Sequence, residues 1–125
     1  MSKFALHKIE TIKGKQVFSQ LEINGVKQLD AFEKDLADTT YESEFKQLLT
    51  LMEYVANNKT LPDTKFRDIT PKKENVREYE FKSKHLRIYS IQQFGGKIIV
   101  LGGYKKDQKK DIKAFRSIKK QFLSI

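Results

Sequence analysis

Apolar residues recur along this chain with two different periods. From Phe4 to Ile12 and from Val17 to Ile23 they are dense and often β-branched, and Lys13-Gly14-Lys15 between the runs can turn the chain. That pattern predicts a strand pair. Asn24-Gly25 ends the second run, and Val26, Leu29, Phe32 and Leu36 then repeat at the spacing of one helix face, up to about Asp38. Thr39 and Thr40 interrupt the repeat, and Thr39 with Glu42 has the spacing of a capping box. Tyr41, Phe45, Leu48, Leu49, Met52, Val55 and Ala56 form the clearest helical stripe. Asn57-Asn58 closes it, and Leu61-Pro62 prevents its continuation. Two helices separated by a short break predict an antiparallel hairpin with its stripes against a sheet.

Residues 63–75 read as a polar connection. Three strands are expected after it, Val76 to Ser83, Leu86 to Phe94 and Lys97 to Tyr104. Gly95-Gly96 is a strong two-residue hairpin signal because both positions tolerate positive φ; Lys84-His85 is a weaker turn. Asp107 can cap a last helix in which Ile112, Phe115, Ile118, Phe122 and Leu123 share a side. The expected order is β-β-α-α-β-β-β-α. It describes one α+β domain over residues 1–125: an antiparallel sheet, made of the N-terminal strand pair and the three C-terminal strands, packed on a two-helix hairpin, with a C-terminal helix.

Composition narrows the chemistry. The chain has 125 residues, no cysteine and two histidines, His7 and His85. Disulfides, thiolate metal sites and multi-histidine metal sites are therefore excluded, and a reducing, cytoplasmic setting is expected. The longest apolar run is four residues, Ile98 to Leu101, so neither a membrane span nor a signal-peptide core is expected. The net charge is +9 and it is polarised. Residues 30–63 hold 3 basic and 8 acidic side chains, whereas residues 64–125 hold 17 basic and 6 acidic. Such a basic half fits a polyanionic partner, most simply nucleic acid, and equally fits an ordinary lysine-coated surface. The acidic positions Asp30, Glu33, Asp35 and Asp38 read as a wet helix face. No glycine-rich phosphate loop is present, because Gly95-Gly96-Lys97 lacks the spacing and the Ser/Thr partner.

Strand register points to particular side chains. A Gly95-Gly96 turn opposes Phe94 to Lys97, Ile91 to Val100, Tyr89 to Gly102 and Arg87 to Tyr104. A turn at Lys84-His85 opposes Lys82 to Arg87, Phe81 to Ile88 and Glu80 to Tyr89. One face then carries Tyr79, Phe81, Ile88 and Leu101 and suits the helices. The other carries Lys82, Arg87 and Tyr104 in a row, with Glu80, Tyr89 and Gly102 beside it. Two cations directly opposite each other destabilise a sheet unless an anion lies between them, so this row is a candidate site. Gly102-Gly103 weakens an otherwise good strand and fits either a close approach or a bulge. Tyr104-Lys105-Lys106 and Lys109-Lys110 come directly after, a mix of aromatic and basic residues that can hold phosphates and stack a base. His85 lies beside the row; His7 reads as packing.

The strings Tyr79-Glu80-Phe81-Lys82, Leu86-Arg87-Ile88-Tyr89 and Ile98-Ile99-Val100-Leu101-Gly102-Gly103-Tyr104-Lys105-Lys106-Asp107-Gln108-Lys109 resemble, in order and spacing, the RelE/ParE toxin superfamily, in particular its HigB-like, phage-derived branch. The resemblance covers about residues 27–123, with the helical hairpin and Lys65-Phe66-Arg67 in place. Lys82 stands where arginine is common, and the extra N-terminal strand departs from the pattern. A RelE-like fold is thereby implied, and a toxin of a type II toxin–antitoxin pair that cuts mRNA on the ribosome without metal or cofactor. A non-enzymatic, ParE-type gyrase inhibitor and an RNA- or ribosome-binding module are the alternatives. By position, Arg87 would stabilise the phosphorane with Lys82 assisting, Tyr104 would stack a base or donate a hydrogen bond, and His85 or Lys105 would serve in proton transfer. Lys106, Lys109, Arg67 and Tyr89 would contact RNA. The implied partner is a cognate antitoxin, an acidic or helical segment covering the basic face and forming a hetero-oligomer.

Overall fold

The computed structural model describes residues 2–124. In chain order it contains β1 (Phe4–Lys8), β2 (Val17–Ile23), β3 (Val26–Lys27), α1 (Gln28–Leu36), α2 (Glu42–Ala56), β4 (Phe66–Asp68), β5 (Glu78–Lys82), β6 (Leu86–Gln93), β7 (Gly96–Tyr104) and α3 (Gln108–Leu123). The architecture is α+β. The seven strands form one sheet in the order β1-β2-β7-β6-β5-β4, with β3 paired to β2. Among the described residues no helix is long and apolar enough to cross a membrane.

The sheet is mixed, which corrects the all-antiparallel expectation: β2 runs parallel to β7. The cause lies in the chain just after β2. Only β3 separates it from α1, and α1 packs its Phe32 ring over Gly102 near the end of β7. A β2 strand of opposite sense would deliver α1 to the other end of the sheet. Two further boundaries differ. The first strand stops at Lys8, and Ile9 and Ile12 leave the ladder to enter the core at 6% and 5% exposure. The polar connection contains β4, which pairs with β5. Thr39 also departs from the capping box: its Oγ1 accepts from Tyr41 N at 3.1 Å and donates to Leu36 O at 2.6 Å. Asp107 precedes α3 without a side-chain cap, at the end of a 3₁₀ turn, Lys105–Asp107.

Both faces of the sheet are covered. The α1–α2 hairpin buries Phe32, Leu36, Phe45, Leu48 and Met52 against Phe18, Phe81, Leu86, Ile88 and Ile99. On the opposite face Phe115 of α3 joins Leu21, Tyr89, Ile91, Ile98 and Val100. Charge is segregated in the same way. Glu33, Asp35 and Asp38 are exposed on or next to α1, while Lys109, Lys110, Lys113 and Lys120 are exposed on α3.

The β5–β6 register matches expectation, with Lys82 opposite Arg87, Phe81 opposite Ile88 and Glu80 opposite Tyr89. The β6–β7 register does not. Gln93 pairs with Gly96, so the turn residues are Phe94 and Gly95, and only Gly95 takes positive φ, at 77°. Gly96 is needed for another reason: a Cβ there would lie 1.8 Å from Val17 O on the adjoining strand. A bulge then shifts the pairing between Tyr89 and Ser90, so that Tyr89 opposes Leu101, Arg87 opposes Gly103 and Leu86 opposes Tyr104. The extra residue is Val100, which lies with Leu101 on the α3 side. Tyr104 therefore packs on the hairpin side, away from Arg87, and Leu101 packs towards α3 rather than the hairpin.

The glycine pair is filled from both sides. A Cβ on Gly102 would come within 2.4 Å of the Phe32 ring, and one on Gly103 within 2.1 Å of Asp111 Oδ2. Overpacking of this kind costs about 1–3 kcal/mol. Gly102→Ala is expected to lose about that much in urea unfolding, and Phe32→Leu in the same chain should recover part of it, read as a favourable coupling in a double-mutant cycle.

Lys97 is a buried cation with 5% exposure. Its Nζ donates to Gln16 Oε1 at 2.9 Å and lies 4.9 Å from the Tyr79 ring centre and 5.9 Å from those of Phe18 and Phe66. Burial lowers its pKa below the ordinary 10.5. A lysine with a depressed folded-state pKa binds its proton less tightly in the native state, so stability rises with pH up to the unfolded value. Lys97→Met is expected to raise the unfolding free energy at pH 7 by on the order of 1 kcal/mol, read as a higher urea midpoint, and to remove that alkaline rise. A lower midpoint would show that the three ring faces outweigh the desolvation.

Candidate functional site

The β5–β6 turn, the end of β7 and the start of α2 meet at one end of the sheet. Ser83 N donates to Leu86 O at 3.1 Å and Leu86 N to Ser83 Oγ at 3.2 Å, which closes the turn. From the α3 side Arg87 Nη1 donates to Ser83 O at 2.6 Å and Leu86 O at 2.8 Å. Lys105 N donates to His85 O at 2.8 Å, so the basic segment after β7 is tied to the same turn.

Glu44, in the first turn of α2, grips this turn from the hairpin side. Its Oε1 accepts from Ser83 Oγ at 2.5 Å and from His85 N at 2.6 Å, and its Oε2 lies 2.9 Å from His85 Nδ1. Burial by itself would raise the Glu44 carboxyl, but the hydrogen bonds from Ser83 and His85 outweigh it and hold the group below its usual value. An ionised carboxylate only accepts, so Nδ1 carries the proton and a neutral ring keeps its lone pair on Nε2. The His85 side chain is 47% exposed. Its ring centre lies 5.2 Å from that of Tyr41, which is 5.5 Å from Tyr104. These rings, with Lys84, Lys105 and Lys106, line a cleft of 620 Å³. Lys106 Nζ sits 5.6 Å from the Tyr104 ring centre.

Of the residues singled out in the sequence, His85, Tyr104, Lys105 and Lys106 come together here. The others lie on the α3 side. Arg87 is 5% exposed, and its Nε makes no hydrogen bond among the described residues. Lys82 donates to Asp63 O at 3.1 Å and lies 4.0 Å from Glu80 Oε1. Tyr89 is fully buried and stacks on Phe115 at 5.6 Å, so it offers no face to an RNA base. Burial and the nearby charges of Glu80 and Asp111 push its phenol well above the ordinary range, against the pull of Arg87. Arg67 Nη2 lies 3.0 Å from Glu80 Oε1, and Lys109 is exposed on α3. The expected row of Lys82, Arg87 and Tyr104 is thus divided between two faces: the first two lie on the side on which α3 packs, and the bulge at Val100 turns the third to the hairpin side.

Glu44, Tyr41 and Lys84 belong to the cleft without having been singled out in the sequence. Lys84 was legible as a neighbour of His85. Nothing in the spacing linked Glu44 or Tyr41 to a turn some forty positions later. The chain matches no family model, no curated protein and no solved structure.

Glu44 also sets an acid limb. Because its folded-state pKa is depressed, its contribution to stability is present above the unfolded value of 4.5 and is lost as pH falls through the folded value. Glu44→Gln is expected to cost about 1–3 kcal/mol at pH 7, with the difference from the parent chain closing as unfolding is measured below pH 4.5.

Proposed function

We propose that this chain is a RelE-like toxin that cleaves mRNA on the ribosome, with His85 at the centre of the chemistry and no metal required. The observation that carries the reading is the Glu44–His85 pair, opening into a cleft lined by two tyrosines and three lysines. A histidine oriented through Nδ1 by a carboxylate is suited to proton transfer at Nε2. In the proposed step Nε2 takes the proton of a ribose 2′-hydroxyl. The 2′-oxygen bonds to the adjacent phosphorus, the bond to the 5′-oxygen breaks, and a rim lysine protonates the leaving oxygen. The products are a 2′,3′-cyclic phosphate and a 5′-hydroxyl. Lys84, Lys105 and Lys106 meet the charge that builds on the phosphorane, and Tyr41 and Tyr104 offer ring surface to the flanking bases.

The sequence resemblance supports the same reading, and it supplies the expected antitoxin partner and a cytoplasmic setting. Arg87 takes a different part from the one the resemblance implies. It holds the backbone of the turn that carries His85, and so acts as a positioning residue.

One observation favours a second reading, an RNA-binding module that does not cut. Burial of Arg87 removes the strongest cation from direct contact with a phosphorane. A translation reaction with purified ribosomes separates the two. Codon-linked mRNA cleavage is expected from the wild-type chain, reduced about 10²–10⁴-fold by His85→Ala with ribosome binding retained. Bound but intact mRNA supports the module, and intact mRNA with inhibited DNA supercoiling supports a gyrase inhibitor. Undiminished cleavage by His85→Ala removes His85 from the chemistry.

A further inference from the structure

On the other face of the sheet, α3 and the β4 edge enclose a trough of 570 Å³ lined by Arg67, Gln108, Lys109, Ile112, Lys113 and Arg116. Two of its cations are built in. Arg67 lies 3.0 Å from Glu80 Oε1, and Arg116 Nε donates to Glu78 Oε1 at 3.0 Å while its Nη2 donates to Ile69 O at 2.8 Å. The glutamate side chains are 0% and 1% exposed, whereas the arginines remain 47% and 40% exposed. Gln108 Nε2 donates to Glu80 Oε2 at 2.9 Å, and Lys119 Nζ to Glu78 Oε2 at 2.8 Å.

A buried carboxylate is costly, and apolar replacements of such ion pairs are often as stable or more so. What the arrangement provides is two guanidinium groups with restricted rotamers, one edge committed to the protein and the rest turned outward. Lys109 and Lys113 stand about one helical turn apart, roughly 6 Å along α3. Both are exposed and neither makes an ion pair among the described residues. Since Glu78 and Glu80 are already matched by arginines, the two lysines leave the lining net positive.

We infer that this trough is a second subsite, which holds the phosphates of an RNA strand continuing beyond the His85 cleft; the inference rests on the RNA reading of that cleft. Its ligand is a single strand several nucleotides long rather than one dinucleotide step. Guanidinium forks suit phosphate oxygens, and Lys82, which shares Glu80 Oε1 with the trough's Arg67, stands two residues before Lys84 of the cleft. An acidic protein segment fits less well, because among the described residues Ile112 is the one apolar side chain lining the trough and protein docking relies on apolar anchors.

The test uses the full chain and fluorescently labelled RNAs of about three and about twelve nucleotides, titrated at several salt concentrations. Lys109→Gln/Lys113→Gln, at exposed positions, is first checked for an unchanged urea midpoint. It is expected to weaken the longer RNA about ten-fold and lower its salt slope by about 1.4, with much smaller loss on the trinucleotide. Equal losses on both lengths, or none on either, overturn the trough as a subsite. Wild-type chain that binds neither RNA overturns the trough as a subsite for free RNA, while the cleft reading stands or falls on the ribosome assay. A polyglutamate peptide whose binding depends on Lys109 and Lys113, while RNA binding does not, overturns the assignment in favour of a protein partner.

Discussion

One extra residue in the last strand decides how this end of the molecule is built. Val100 and Leu101 both lie on the α3 side, so the pairing beyond them shifts by one position and every later side chain of the strand changes face. Gly102 is thereby placed under Phe32, Gly103 under Asp111, and Tyr104 beside Tyr41. Without the bulge Tyr104 would join Arg87 and Lys82, and the hairpin would meet a different strand surface. The cleft is assembled from the hairpin side because of that single insertion.

Much of the fold was legible where a pattern repeats over many residues. The stripe from Tyr41 to Ala56 gave α2, and a turn placed at Lys84-His85 gave the β5–β6 register. The failures each have a physical cause. Gly95-Gly96 resembled a complete turn, but only Gly95 is a turn glycine; Gly96 is small because Val17 O presses against it. Three residues, Phe66–Asp68, are too few to show a period. The helix containing Phe115 announced an apolar side without stating which surface it covers, and that surface was the one carrying Arg87. The site was therefore half visible. His85, Tyr104, Lys105 and Lys106 adjoin along strand ends, whereas Glu44 reaches them only through space.

The two sides of the sheet handle charge differently. Beneath the hairpin Lys97 is met by ring faces and a glutamine, with no carboxylate in salt-bridge contact among the described residues. Beneath α3, Glu78 and Glu80 are buried with cations around them, and Glu80 Oε1 meets Arg67 as a charge rather than through an aligned hydrogen bond. Buried ionic groups of this kind add little net stability. They do fix which cations face outward and where, so the α3 surface has a defined pattern rather than a diffuse lysine coat.

Segregation of acid to the hairpin and base to α3 gives the molecule a pronounced dipole across the thickness of the sheet. In the field of a large polyanion such a body experiences a torque before it makes any contact, turning α3 forward and the hairpin to the rear. The opening beside Tyr104 lies on the rim between these hemispheres. Arrival is thus edge-on for that opening, and added salt, by shortening the reach of the field, degrades the alignment of the encounter as well as its frequency.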